Sequence, residues 1–223
     1  MESIMNQPAW NIPPQEIEKR SFAIIDGEAG KHDWDPRSWS VVRRLIHTTA
    51  DFDYAKDTVI SPVALDAGIK ALKEGALILT DTKMALNGIN RGNLASWDIE
   101  LLCLVDDERT VRRAREKGFT RSQVAVDLAY EEYVKPGRPT VWVIGNAPTA
   151  LYRLMEKLEE EPNVPRPHLV VALPVGFVNA YESKRDLAAS KLPYFITNLS
   201  RKGGSNAAAA VVNAIAKLAL NAT

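Results

Sequence analysis

Cysteine is nearly absent: Cys103 is the only one in 223 residues. It has no partner for an intrachain disulfide, and it cannot build a cysteine metal cluster. Charge of one sign is not in excess either, since 28 basic side chains face 28 acidic ones and the formal net charge is zero. General nucleic-acid binders carry a basic surplus, so the balance argues against that class. It leaves room for a local basic pocket, because a sum hides its distribution. No apolar run approaches the ~20 residues that span a membrane. Met1 to Trp10 has neither the basic nor the apolar stretch of a signal peptide. H-E-x-x-H, G-x-S-x-G, G-x-G-x-x-G and the Walker A pattern are all missing. The expectation is a soluble cytoplasmic protein with no metal site, no nucleic-acid partner and no membrane partner.

What is present supports a globular fold. Hydrophobic residues make up 46% of the chain, enough for a sizeable core. Residues 1–13 read as a loose lead-in, and 14–223 as a single domain. A helix begins at Pro14, with Ile17, Ile24 and Ile25 on one face, and ends at Gly27 or Gly30. Asp35-Pro36 is a second helix start, with Asp as cap and Pro in the first turn. Val41, Val42, Leu45 and Ile46 give that helix a buried stripe. Another helix, carrying Leu65, Ile69 and Leu72, closes at Gly75. Short apolar strands are expected at Ala76–Leu79, Ile99–Val105, Val141–Ile144, Leu169–Leu173 and Tyr194–Thr197. Helices at 107–117, from Thr120 to Tyr133, from Pro148 to Glu160 and from Ser205 to Leu220 separate or follow them. This alternation predicts an α/β fold: a mostly parallel sheet with helices on both faces. Ligands of such sheets bind in the loops beyond the carboxyl ends of the strands. Those loops are 81–84, 145–149, 174–182 and 199–205.

Three histidines can be weighed one by one. His32 sits in a charged turn and reads as solvated, and His168 at the start of a strand reads as structural. His47 follows the apolar pair Leu45-Ile46, with Arg43 and Arg44 one helical turn before it. Nearby cations favour its neutral form. It is either an acid–base group or a helix-end histidine paired with Asp51 or Asp53. Ile144 to Leu151 (I-G-N-A-P-T-A-L) makes a strand, a tight turn and a helix start. The turn is either an anion site at Asn146 or a well-capped connection. Pro174 to Lys184 displays apolar residues that either fold back into the core or line an apolar pocket. Arg201 to Ser205 combines two cations, two glycines and a helix start; it suits carboxylate capture or is a flexible turn. Arg121 is a cation in a first helical turn, where it opposes the helix dipole and is more plausible facing a ligand. Asp81 reads as a cap rather than a base, the 108–117 charge run as a solvated helix face, and Cys103 as a buried small residue.

Taken together and in order, these stretches are familiar. They are R-S-F-A-I-I (Arg20–Ile25), R-x-x-H ending at His47, V-I-S-P (Val59–Pro62) and G-A-x-I-L-x-D (Gly75–Asp81). T-R-S (Thr120–Ser122), I-G-N-A-P-T-A-L, P-V-G-F-V-x-A-x-E-S-K and R-x-G-G-S follow. From about Pro14 to Leu220 the chain closely resembles the precorrin-8X methylmutase family, including its cobalt-precorrin-8 counterparts. The resemblance implies an isomerase of cobalamin biosynthesis that moves a methyl group from C-11 to C-12 of a corrin-type ring by an acid-assisted 1,5-sigmatropic shift. It implies no external cofactor, a tetrapyrrole ligand, and a homodimer with the site near the interface. His47 matches the family's proton donor/acceptor and Ser21 its substrate-contacting serine. Arg20, Arg44, Arg121, Asn146, Thr149, Gly176, Arg201, Gly203, Gly204 and Ser205 complete the expected substrate-binding set, with Lys202 as a further cation. The chain departs from many relatives at Ser96-Trp97-Asp98 and in the bulk of Asp51-Phe52-Asp53-Tyr54. Neither departure touches His47. The other class of function to weigh is a corrinoid-binding or hand-over protein that keeps the pocket without the chemistry.

Overall fold

Ile78, Val141, Val143, Leu169, Val171 and Ile196 belong to one buried cluster. Their chain neighbours Leu77, Leu79, Trp142, Ile144, Val170, Ala172 and Phe195 belong to another. Successive side chains of a strand point to opposite faces, so a strand buried on both sides reads as a continuous apolar run. That is why the central strands were visible as short unbroken Val/Ile/Leu stretches.

In the computed structural model, residues 11–221 are described. The six-stranded sheet has the order β1-β6-β5-β4-β2-β3. Its strands are β1 (Thr58–Ile60), β2 (Leu77–Thr80), β3 (Glu100–Leu102), β4 (Thr140–Ile144), β5 (Leu169–Ala172) and β6 (Phe195–Asn198). The pairs from β6 through β5, β4 and β2 to β3 are parallel. One face carries α1 (Pro14–Ala29), α2 (Pro36–Thr49), α4 (Ala64–Lys73) and α10 (Ser205–Asn221). The other carries α7 (Arg121–Glu132), α8 (Pro148–Glu160) and α9 (Ala180–Ala189). The α/β architecture with helices on both faces is as the sequence predicted.

The helix boundaries follow the local chemistry. The Asp35 carboxylate accepts from the amides of Arg37 and Ser38, and Pro36 opens α2. Thr120 and Gln123 form a reciprocal capping box on α7. Gly30, not Gly27, ends α1, with φ +68°. Four elements were not foreseen. Strand β1 runs antiparallel to β6 at the sheet edge. At three residues it is too short to show a period, and its pairing with β6 is what makes it a strand. The short helices α3 (Tyr54–Asp57) and α5 (Lys83–Gly88), and a 3₁₀ turn at Arg91–Leu94, were equally silent. The run at Ile99–Val105 also shrinks to three paired residues. Cys103 lies just beyond them, half-buried rather than buried, and burial pushes its thiol pKa up. The charged helix α6 (Glu108–Lys117) is not merely solvated: Arg109 and Arg113 pair with Glu132 and Glu131 of α7. Of the lead-in, residues 1–10 and any signal within them lie outside the described residues; 11–13 are irregular.

Candidate active site

His47 closes the last turn of α2, and Ala50 then leaves the helix through a left-handed cap with φ 54°. Ser21, on the facing side of α1, places its Oγ 2.7 Å from His47 Nδ1. The imidazole is therefore held by a serine and not by Asp51 or Asp53. Phe22 meets the ring edge-on, with centroids 5.4 Å apart. The guanidinium groups of Arg43 and Arg44 both lie over Phe22, at 4.3 and 4.7 Å from its centroid.

The two arginines then diverge. Arg43 reaches Asp26 at 2.6 Å, whereas Arg44 reaches Glu18 at 2.9 Å. Lys217 of α10 approaches the other Glu18 oxygen at 2.6 Å. One carboxylate thus sits between two cations from two other helices, which holds the Glu18 pKa down to about 2. Burial lowers the His47 pKa below the ordinary histidine value. Arg44 and, more weakly, Lys217 lower it further, and Glu18 opposes them. The neutral imidazole is favoured, as the neighbouring cations led one to expect.

Two clefts share this histidine. One, of about 510 Å³, is lined by Glu18, Arg44, His47, Asn206, Asn213 and Lys217 among others. The second, of about 690 Å³, is more apolar and includes Ile17, Arg20, Ser21, Ile24, His47 and Phe52. Both volumes fall in the range of small-molecule sites. A nitrogen with a fixed partner on one side and open cleft on the other is equipped to exchange a proton with a large flat ligand.

A model of the precorrin-8X methylmutase family matches residues 16–218. The chain belongs to that family. It is 45% identical over 207 residues to the cobalt-precorrin-8 methylmutase of Salmonella typhimurium, covering 91% of this chain and 94% of that one. It is 40% identical over 204 residues to the precorrin-8X methylmutase of Pseudomonas aeruginosa, again covering 91% and 94%. A crystal structure of precorrin-8X methylmutase from Thermus thermophilus superimposes with a TM-score of 0.83 at 40% identity, covering 93% of this chain and 97% of that one.

Methylmutase membership makes the placement of the other expected residues informative. Of that set, the structure gathers Arg20, Ser21, Arg44 and His47 at the two clefts. It does not gather the rest there. Arg121 is exposed at the start of α7, and Thr149 bonds Thr120 at 3.0 Å on the same side of the sheet. Asn146 is exposed, but the anion site around it is already filled. The buried Asp81 carboxylate accepts the amides of Gly145, Asn146 and Ala147 at 3.0, 2.7 and 2.7 Å. Asp81 is a cap, as the sequence suggested, and it caps a turn 64 residues away. Burial raises its pKa, and the three amides oppose the rise. The chain's own carboxylate closes the crevice between β2 and β4, where the strand order reverses and a ligand would ordinarily sit.

The 199–205 turn is likewise engaged within the chain. The Gly204 amide donates to Leu173 O at 2.9 Å, and Ser205 Oγ lies 2.7 Å from Thr82 Oγ1. At Gly203 a Cβ would stand 2.1 Å from Leu173 O, so this glycine serves close backbone packing. The Lys202 ammonium is taken by Asp51 and Asp53, at 2.6 and 2.5 Å. Gly176 donates its amide to Arg201 O at 3.1 Å, and the Arg201 guanidinium lies 5.6 Å from the Phe177 ring centroid. The apolar loop they belong to neither folds inward nor lines the His47 clefts: Phe177 is 84% and Val178 79% exposed. His32 is exposed, as expected of a turn residue, and its ring also stacks on Trp39 at 3.9 Å. His168 is structural, accepting the Thr140 amide at Nδ1. Glu18, Lys217, Asn206 and Asn213 were not anticipated. Glu18 shares a face with Ser21, three residues on, which was the one signal available.

Proposed function

We propose that His47 moves the proton in a corrin methyl shift. The chain is an intramolecular methylmutase, acting on precorrin-8X or cobalt-precorrin-8, and the observation that carries the residue assignment is the Ser21–His47 contact at the junction of two clefts. Ser21 can donate to Nδ1 or accept from it, so its hydroxyl rotor supports either protonation state. With Nδ1 so engaged, Nε2 is the nitrogen for the ring. A proton given to a ring nitrogen redistributes the conjugated electrons and lowers the barrier to migration of the C-11 methyl to C-12. The proton then returns to His47. Holding the macrocycle in one geometry supplies the rest.

The apolar cleft at Ile17, Ile24 and Phe52 suits the ring face. Arg20, exposed at its edge, suits a peripheral carboxylate. Arg44 and Lys217 are shared with Glu18, so a second carboxylate there competes with that side chain. Arg121, Asn146, Thr149, Gly176, Arg201 and Ser205 lie outside the two clefts of this chain; their substrate roles are proposed for an assembled homodimer. Exposed Ile17, Ile24, Phe177 and Val178 support that assembly, and the resemblance supports a cytoplasmic location. No helix among the described residues is long and apolar enough to cross a membrane. No external cofactor enters this scheme.

The test is the absorbance spectrum of purified protein mixed with each ring form. Conversion by the wild type and retained binding without conversion by His47→Ala support the assignment. Full conversion by the variant removes His47 from the mechanism. Binding without conversion by the wild type would favour the hand-over reading.

A further inference from the structure

Lys184 is a fully buried lysine that the methyl-shift scheme leaves unused. Desolvation of an ammonium is expensive, and it pushes this one down to about 8. Its partners are the last residue of β6, Asn198, and Lys202 in the turn that follows. Nζ donates to the Lys202 carbonyl at 2.6 Å and to Asn198 Oδ1 at 3.0 Å. The Asn198 amide donates in turn to the same carbonyl, at 3.1 Å, and to Ser200 Oγ at 2.8 Å. The turn is thus closed around one buried donor.

That turn reaches the end of the His47 helix. The Lys202 side chain pairs with Asp51 and Asp53, four and six residues beyond His47. The Leu199 amide donates to Asp57 O at 2.7 Å, fixing the turn against α3 as well. Phe52 lies between the two aspartates and Ala50 just before them, and both line the apolar His47 cleft. The loop before α9 joins the same turn through the Gly176–Arg201 bond. An apolar side chain at 184 would fill the volume. It would leave Lys202 O with only Asn198 and free the backbone from which the Lys202 arm extends.

We propose that Lys184 is a positioning residue for the methyl shift: through the Lys202 turn it sets where α2 ends, and so where His47 stands against the ring. It touches no substrate atom. The inference rests on the methylmutase reading, and misplacement of a proton-transfer group by about 1 Å can cost on the order of 100-fold in rate.

The experiment compares Lys184→Met, Lys202→Ala and the double variant, well below their melting temperatures, in kcat, in product affinity and in the imidazole NMR signal of His47. The expected result for each single variant is a kcat lower by about 10- to 100-fold, with product affinity changed less than about threefold and the His47 signal moved. The double variant should be no worse than the poorer single one, because both act along one path. A folded Lys184→Met with wild-type kcat and an unmoved His47 signal overturns the proposal, as does a double variant whose losses multiply. Should Lys184→Met not fold, Lys202→Ala alone decides, and wild-type kcat in that surface variant overturns the proposal. Wild-type protein that fails to convert either ring form overturns the methylmutase reading itself, an outcome distinct from all of these.

Discussion

Ser21 Oγ and His47 Nδ1 meet at 2.7 Å across 26 residues of sequence, joining α1 to the last turn of α2. The contact fixes the imidazole about its Cβ–Cγ bond and selects the nitrogen that faces a ligand. Ser21→Ala should keep the fold, because the residue is only half-buried on an exposed-edge helix. Its kcat should fall by roughly 10-fold, less than the ~100-fold or more that a direct acid–base group contributes. His47→Ala should fall further, by about 100-fold or more. Single-turnover spectra of both variants check this, and a Ser21→Ala rate equal to wild type would remove the serine from the mechanism.

The pH dependence follows from the charges around His47. Its pKa lies below the ordinary value, chiefly through burial, so the protonated acid is lost as pH rises through that lowered value. If proton donation limits the rate, kcat/KM should show a descending limb below pH ~6.5. Glu18 is the neighbour that raises this pKa; Glu18→Gln should therefore move the limb to lower pH. A limb that stays put, or moves up, contradicts the assignment.

Glu18 also links to stability. Its folded-state pKa is depressed from 4.5 to about 2. The stabilisation is present above the unfolded value, and it is lost as pH falls through the window between about 4.5 and 2. Urea titrations should show a smaller acid loss for Glu18→Gln than for wild type in that window. Equal slopes would mean the Arg44–Glu18–Lys217 cluster does not persist in solution.

Asp81 holds three amides that have no other described partner. Asp81→Ala would strand them, at about 1–3 kcal/mol for each buried donor left unpaired. The expected outcome is a melting temperature lower by many degrees and no gain in anion binding at the turn. A variant that binds phosphate there with wild-type stability would show that the nest is a ligand site after all.

Gly203→Ala should be among the most damaging single-methyl changes. The added Cβ would lie 2.1 Å from Leu173 O and 3.0 Å from Pro174 O, both backbone atoms that cannot swing away. Gly68 offers the contrast: there the nearest atom, at 2.9 Å, belongs to the Leu169 side chain, which can turn. Expression yield and thermal melting should rank Gly68→Ala well above Gly203→Ala.

The sequence by itself determined the layer structure. Unbroken apolar runs at 76–79, 141–144 and 169–173 are best buried between two layers of helices. Asp35, Thr120, Gly75 and Gly118 set helix ends through bonds and backbone angles that are local. His47 stood out because a polar imidazole follows a buried apolar pair. Tertiary structure decided everything that joins distant segments. Strand β1 exists because β6 lies beside it, and Glu18 and Lys217 share a cleft with His47 only because α1, α2 and α10 converge. Asp81 occupies the amides of 145–147, and the Lys202 ammonium is spent on Asp51 and Asp53. Spacing reports which donors and cations a chain possesses; whether each is free depends on a partner at 64 or 149 residues' remove, and only the folded geometry supplies that partner.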